Sequence, residues 1–530
     1  MGRRAAAALA VTSVIAAWAG AATDQPSGAP SPTAAVQVTA NGAPVRAHSV
    51  PQIARNPRTG ELVIGEVDVR GDRRCRFHIS TDRGRTWFDG GDPMVEPFTD
   101  CSIGAEWGTY LNLFFDEDGT LYVPFAANDP RTFALSEAAG GDRRQTVPRN
   151  IYLARSTDSG RTFSTTTAYE APAAKDPARG YAYAVMGAID PSDARRIYVT
   201  WAQGEFLSLE HKTHAVVAAS GDGGATFRAP VDITDDTGSE GAWLTVGPDG
   251  AVHAAFYSLG WNGQRTLFEL EPDEPPLPMF HARSSDRGAT WTRQVVDPGY
   301  QQYERPPVVA ADPGSDRVYL VWFGSDQPEN LESHFDSSDR ADVFVRVSSD
   351  GGQTWSERIR VNDDRGPDTN QIHPGVAIAP DGRLDVAWYD YRNSPTEGDN
   401  PLDDRGLTDV YVASSDDGGR SFGANVKVND RSIDRSIGVF SNRVTSVGPV
   451  AITSTEDDIF LAWQDSRNGN ERTQAEDVYA AVLRLDGDEP APDSDSDSFH
   501  VGRFGAGMAL GMGAAMVLAW ALARRAASTP

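Results

Sequence analysis

Short runs that alternate apolar and polar residues fill the chain from about Gln37 to Leu485, as in Asp409-Val-Tyr-Val-Ala413 and Asn425-Val-Lys-Val428. A period of two predicts strands with one face buried. One short pattern recurs six times between such runs. It first reads Ser80-Thr-Asp82-Arg-Gly84-Arg-Thr86-Trp87, and then Ser156/Asp158/Gly160/Thr162/Phe163, Ser220/Asp222/Gly224/Thr226/Phe227 and Ser284/Asp286/Gly288/Thr290/Trp291. The last two copies are Ser348/Asp350/Gly352/Thr354/Trp355 and Ser415/Asp417/Gly419/Ser421/Phe422. Successive aspartates are 76, 64, 64, 64 and 67 residues apart, the signature of stacked equivalent units. Each copy joins two alternating runs and is therefore a hairpin turn. The Asp accepts backbone N–H groups, the Gly takes a positive φ, and the aromatic residue buries against a neighbouring sheet.

Two more strands precede each turn, as in His373-Pro-Gly-Val-Ala-Ile-Ala379 and Arg383-Leu-Asp-Val-Ala-Trp388, which makes four short strands per unit. That is the make-up of a propeller blade. Inner strand pairs begin near Pro51, Gly108, Tyr183, Ala242, Pro307, Pro374 and Pro449, so the pattern predicts seven blades rather than six. The seventh unit lacks the turn and its outer strand. Ala35-Val-Gln-Val-Thr39 is the strand available to complete it, closing the ring and removing an exposed edge. The expected fold is a single all-β propeller of four-stranded blades.

The flanks read differently. Residues 1–22, with Arg3 and Arg4 before an apolar stretch and Ala19-Gly20-Ala21, have the form of a signal peptide, and 23–34 of a flexible linker. The propeller is expected over 35–485, followed by an acidic Asp/Ser/Pro stalk at 486–503. Residues 504–523 carry no charge and are long enough for a transmembrane helix. Arg524 and Arg525 then place 524–530 in the cytoplasm and the propeller outside a cell membrane. A net charge of −27 argues against nucleic acid as a partner. The two cysteines, Cys75 and Cys101, are expected to pair, stabilising by about 3 kcal/mol. They leave no basis for a thiolate zinc site or a cysteine nucleophile, and no cofactor is implied.

The repeated turn resembles the Asp box, or BNR repeat, of the sialidase superfamily, and the resemblance covers about Gln37 to Leu485. It implies that Asp82, Asp158, Asp222, Asp286, Asp350 and Asp417 are structural and lie on the face away from the ligand. Sialidases hold a substrate carboxylate with three arginines, use a Tyr–Glu nucleophile pair and an acid/base Asp, and take their first arginine from a Phe/Tyr-Arg-Ile-Pro motif. Here that place reads His48-Ser49-Val50-Pro51, with Ser49 at the arginine position. Seven Asp-box blades also resemble the propellers of xyloglucanase-type endoglucanases. Those place catalytic aspartates between two tandem domains, whereas this chain has one.

If the boxes mark one face, the links between second and third strands emerge on the other. Four of these links are long: Asn128–Asn150, Ser258–Pro278, Gly324–Ala341 and Asn393–Thr408. Aligned second strands end in Glu66-Val-Asp68-Val-Arg70, Trp388-Tyr-Asp390-Tyr-Arg392 and Trp463-Gln-Asp465-Ser-Arg467. These Asp-x-Arg pairs belong to blades one, six and seven, which adjoin after closure. They either tie one blade to the next or form a polar sector for hydroxyls and carboxylates. Tyr303, Glu304, Arg305, His373, Asn442, Arg443 and Glu240 lie on the same face. His373 with Asp390 and Asp465 has the residue types of a metal site, but no metal is assigned.

Two functions are consistent with this pattern. One is a surface glycoside hydrolase of sialidase type, with Glu304, Asp390 or Asp465 as acid/base, Tyr303 as nucleophile, and Arg305, Arg443 and an Asp-x-Arg arginine on a carboxylate. The other is a non-catalytic surface propeller that binds glycan, envelope polymer or protein through its loop-rich face.

Overall fold

The computed structural model of this chain describes residues 30–39, 43, 45–68, 74–93, 111–127, 150–170, 179–205, 213–234, 238–239, 241–258, 278–298, 307–324, 341–364, 369–394, 406–438 and 448–485. Every regular element among them is a strand, and the strands form a seven-bladed propeller of antiparallel sheets. Blade one comprises His48–Arg55, Leu62–Asp68, Arg74–Ser80 and Phe88–Asp89. Blade six comprises Gln371–Ile378, Leu384–Asp390, Leu407–Ser415 and Val426–Lys427, and Ile433–Asp434 also pairs with its third strand. The first strands of successive blades touch one another around the axis.

Blade seven shows how the ring closes. Ala451–Ser454, Asp458–Asp465 and Asp477–Arg484 come from the end of the domain, and Val36–Gln37 pairs antiparallel with the last of them. Val38 N donates to Val478 O as Val361 N does to Val343 O and Val428 N to Val410 O in blades five and six. Thr39 Oγ1 then accepts Val478 N at 3.1 Å, the role that Asn362 and Asn429 side chains play for Val343 and Val410. The N-terminal segment is thus in register as the missing fourth strand, as the strand count predicted. Pairing starts still earlier, with Ser31–Pro32 against Leu483 and Arg484.

The second strand of a blade lies between two neighbouring sheets and is buried along its whole length, as in Leu62–Asp68 and Leu384–Asp390. Alternation therefore gives way there to near-continuous apolar runs. Leu62 and Ile64 pack toward blade seven, while Val63 and Val67 pack toward blade two. Among the described residues five fourth strands are two residues long and those of blades two and four are six, Phe88–Asp89 being exposed at both positions.

The six turns have one geometry. The Ser hydroxyl donates to Asp Oδ1 at 2.7–2.8 Å and accepts the Gly N–H at 2.8–2.9 Å. The Thr or Ser four residues after the Asp donates its backbone N–H to Oδ1 at 2.8–3.0 Å and its hydroxyl to Oδ2. The turn needs glycine: φ lies between 77° and 87° at all six positions. Each aromatic residue enters the seam with the preceding blade, Trp87 joining the blade seven–one core and Phe163 the blade one–two core. Side chains reinforce those seams at the same end, where Asn56 Nδ2 of blade one donates to Ser159 Oγ of blade two at 2.9 Å and Arg83 of blade one pairs with Asp458 of blade seven. The turn face is accordingly occupied with holding the ring together.

Cys75 is buried and disulfide-bonded, and Cys101 lies outside the described residues. The signal, stalk and anchor segments also lie outside them. Among the described residues no helix is long and apolar enough to cross a membrane.

Candidate functional site

The end of the propeller opposite the turns carries the starts of the first strands, the ends of the second and the starts of the third. Three inner strands are distorted there in the same way. In His48–Arg55, Arg179–Ile189 and Gln371–Ile378 the register shifts between Ser49 and Gln52, Tyr183 and Met186, and Ile372 and Gly375. Within each bulge a non-glycine residue has positive φ: Val50 (46°), Ala184 (52°) and His373 (55°). For β-branched Val50 this is a real cost, and such strain persists only where surrounding structure enforces it. The surroundings do so at close quarters. A Cβ on Gly375 would stand 1.9 Å from Val450 O, and one on Gly448 would stand 3.0 Å from the Val50 side chain. The buried His373 ring packs 5.1 Å from that of Phe323, and its carbonyl accepts Val450 N from blade seven.

Asp390 and Asp465 close the second strands of blades six and seven, with no side-chain exposure. Asp390 accepts the Trp388 indole N–H at 2.7 Å, the Arg392 backbone N–H at 2.8 Å and the Arg392 guanidinium at 2.9 Å. Asp465 does the same with Trp463 at 2.9 Å and with Arg467 at 2.8 Å through both backbone and Nη2. Burial pushes the Asp390 carboxyl above the usual carboxylate range, against the pull of Arg392. Each arginine also crosses a seam. Arg392 Nη1 meets Asp363, just past the outer strand of blade five, at 2.7 Å, and Arg467 Nη1 meets Asp430, just past that of blade six, at 2.8 Å. Both guanidinium groups lie on a tyrosine of their own third strand, 4.3 Å over Tyr411 and 4.1 Å over Tyr479. The two aspartates and two arginines are therefore engaged in joining blades.

Blade one departs from this pattern because Glu66 stands where blades six and seven have tryptophan. Its carboxylate is wholly buried, 2.9 Å from His48 Nδ1 and 3.5 Å from His78 Nε2, and His78 Nδ1 lies 3.1 Å from Asp89. One ionisable group from each of the four strands forms this line. Burial would depress the His78 imidazole, but Asp89 and Glu66 outweigh it and push it up to about 9. Asp68 is 3.8 Å from Arg76. Arg70, Glu240, Tyr303, Glu304, Arg305, Asn442 and Arg443 lie outside the described residues.

A second unusual group sits between blades six and seven. Arg435 is buried over the ring of Tyr389, 4.4 Å from its centre, and donates through Nε to Thr408 Oγ1 at 2.8 Å. Its Nη2 meets no hydrogen-bond acceptor among the described residues. Among the same residues, no three His, Cys, Asp or Glu side chains gather as a metal site, so His373, Asp390 and Asp465 do not form one.

Neither Arg435 nor Glu66 is a candidate on sequence grounds. Glu66 is visible only as the residue that breaks the aligned tryptophan column. The seam partners had a clearer signal in Arg360-Val-Asn-Asp363 and Lys427-Val-Asn-Asp430, a second repeat following the turns.

No family model matches the chain, and no curated protein does. Solved structures with similar folds include a phage phi92 endosialidase (12% identity, 87% of this chain and 70% of that one, TM-score 0.46). A Penicillium chrysogenum α-L-arabinanase (12%, 86% and 99%, 0.41) and a fungal alcohol oxidase (11%, 87% and 79%, 0.48) are also similar. Their activities differ from one another, and at such distance none extends to this chain.

Proposed function

We propose that this chain is an exported, membrane-anchored propeller with a glycan-directed role, exercised through the face opposite the Ser-x-Asp turns. The observation that carries this reading is the shared bulge of three inner strands, with Val50, Ala184 and His373 held at positive φ at the end of the ring opposite the turns. Resemblance of the turns to Asp boxes supports the glycan class. As a glycoside hydrolase of sialidase type it would use Tyr303 and Glu304, with Arg305 and Arg443 toward a carboxylate.

A non-catalytic, glycan-binding role is favoured by one specific finding. Asp390 and Asp465 are closed off from solvent and saturated by tryptophan and arginine donors, which suits a structural carboxylate better than a general acid. The full-length chain in detergent, offered a panel of aryl glycosides that includes a sialoside, separates the two. Fluorophore release lost in Glu304→Gln and kept in Ser80→Ala identifies the enzyme. No release, with saturable binding on a glycan array, identifies the binding protein. Silence in both assays removes the glycan-directed reading.

A further inference from the structure

In the six blades with turns, the second strand starts opposite the turn Ser, as Val252 faces Ser284 in blade four, so these blades align residue by residue. Three residues before that Ser, five blades carry Phe77, Leu153, Val217, Val345 and Val412, whereas blade four carries His281. The next residue of the second strand is Val63, Tyr122, Tyr198, Tyr319 or Asp385, but His253 in blade four. Both imidazoles are buried and share a 3.0 Å hydrogen bond between His253 Nδ1 and His281 Nε2. One ring must donate and the other accept, which suits two neutral rings. The turn of blade five rests on this pair. Gly352 lies so close to the His281 ring that a Cβ would overlap it, and Trp355 meets the same ring edge-on at 5.1 Å. Trp87 and Trp291 donate their indole N–H to Gly84 O and Gly288 O, but buried Trp355 Nε1 has no acceptor among the described residues, and Gly352 O accepts Gln294 Nε2 instead.

We propose that the turn end of the blade four–five seam is an acid-sensitive joint: a proton taken up by the His253–His281 pair releases the turn of blade five from blade four while the other seams stay closed. The groups around the pair oppose that proton in the closed seam. Arg283 disfavours it on both rings, and Asp249, which favours it on His253, already faces Arg283 at 3.0 Å. The Asp350 carboxylate of the blade five turn is held by Ser348 and Thr354. Elsewhere in the same seam Arg346 and Arg358 of blade five hold Asp297 of blade four at 3.0 and 3.1 Å, ion pairs that keep the rest of the seam joined. This joint lies at the turn end and stands without the glycan-directed reading.

The test is hydrogen exchange of the full-length chain in detergent at pH 7 and at about pH 4.5, corrected for the intrinsic pH dependence of exchange. A histidine freed to titrate near 6.5 favours the open seam by about a hundredfold at about pH 4.5. Protection should fall by that order in Met279–Ser284 and in the turn from Ser348 to Trp355, but not in the turn from Ser415 to Phe422. The double variant His253→Tyr, His281→Leu installs the pair that blade two carries as Tyr122 and Leu153, and should abolish the local loss. Protection unchanged by acid, lost equally at every turn, or still lost locally in the double variant overturns the joint. Should the double variant not fold, His253→Gln, which keeps a hydrogen-bonding partner for His281, should reduce the local loss, and an undiminished loss overturns the joint.

Discussion

Replacing Arg392 with methionine probes the blade-joining role of the Asp-x-Arg pairs most severely. Methionine keeps apolar contact with Tyr411 but removes the charge that faces buried Asp390 at 2.9 Å and Asp363 at 2.7 Å. Loss of one partner of a buried pair costs about 3–5 kcal/mol, because the remaining charge stays in the interior. The half-exposed Asp363 contact contributes only about 0.2–1 kcal/mol. The lower end of the first range, about 3 kcal/mol at pH 7, is expected, since the Trp388 indole and the Arg392 backbone N–H still serve Asp390. The pH dependence adds a signature. The Asp390 carboxyl is already raised by burial, and removing the guanidinium raises it further. A carboxyl raised in the folded state binds more protons than in the unfolded state, so stability falls as pH rises above the unfolded value of about 3.9. The deficit of Arg392→Met should therefore shrink as pH falls from 7 toward 4, and Asp390→Asn in the same chain should recover much of it at pH 7. Urea unfolding followed by tryptophan fluorescence reads both effects. A variant within about 0.5 kcal/mol of wild type at pH 7, the range of ordinary surface changes, would refute the reasoning.

Three further outcomes concern pH. The hydroxyl and backbone N–H of Thr226 and Thr290 hold Asp222 and Asp286 down at about 2; depressed carboxyls stabilise above the unfolded value and lose that contribution as pH falls from about 4 to about 2, so Asp222→Asn should flatten this part of the melting-temperature profile. Burial and then Arg283 lower His253 to about 4, and burial, then His253 and Arg283, lower His281 to about 3 across a 3.0 Å hydrogen bond; exclusion of the proton should cost stability as pH falls from 6.5 toward 4, a window that His253→Gln should narrow in calorimetry. His78 is shifted the other way, by Asp89 and then Glu66: its ion pairs stabilise fully below pH 6.5 and are lost as pH rises through about 9, so Glu66→Gln, which leaves Asp89 in place, should shrink an alkaline decline in melting temperature between pH 7 and 10.

The architecture was largely legible because its determinants are local and repeated. Six Ser-x-Asp-x-Gly turns, the seven inner strand pairs and the spare strand at Ala35–Thr39 can each be read along the chain, and Val36–Gln37 does pair with the last strand. The meaning of the Asp-x-Arg pairs was not legible from the pairs alone, because Arg392 and Arg467 find Asp363 and Asp430 only when adjacent blades are packed. Val50 gives no hint of its backbone, since a β-branched residue ordinarily avoids positive φ, and the close approach of Gly448 to Val50 exists only in the packed ring. Arg435 belongs to no repeat, and its contact with Tyr389 and Thr408 is a property of the packed seam.

Hydrogen exchange of the full-length chain, with and without the glycan it binds best on an array, tests most directly whether function resides on the face opposite the turns. Slowed exchange in peptides spanning His48–Arg55, Arg179–Ile189 and Gln371–Ile378, with no change at the six Ser-x-Asp turns, is the predicted result. Protection confined to the turns, or no glycan bound at all, would contradict it.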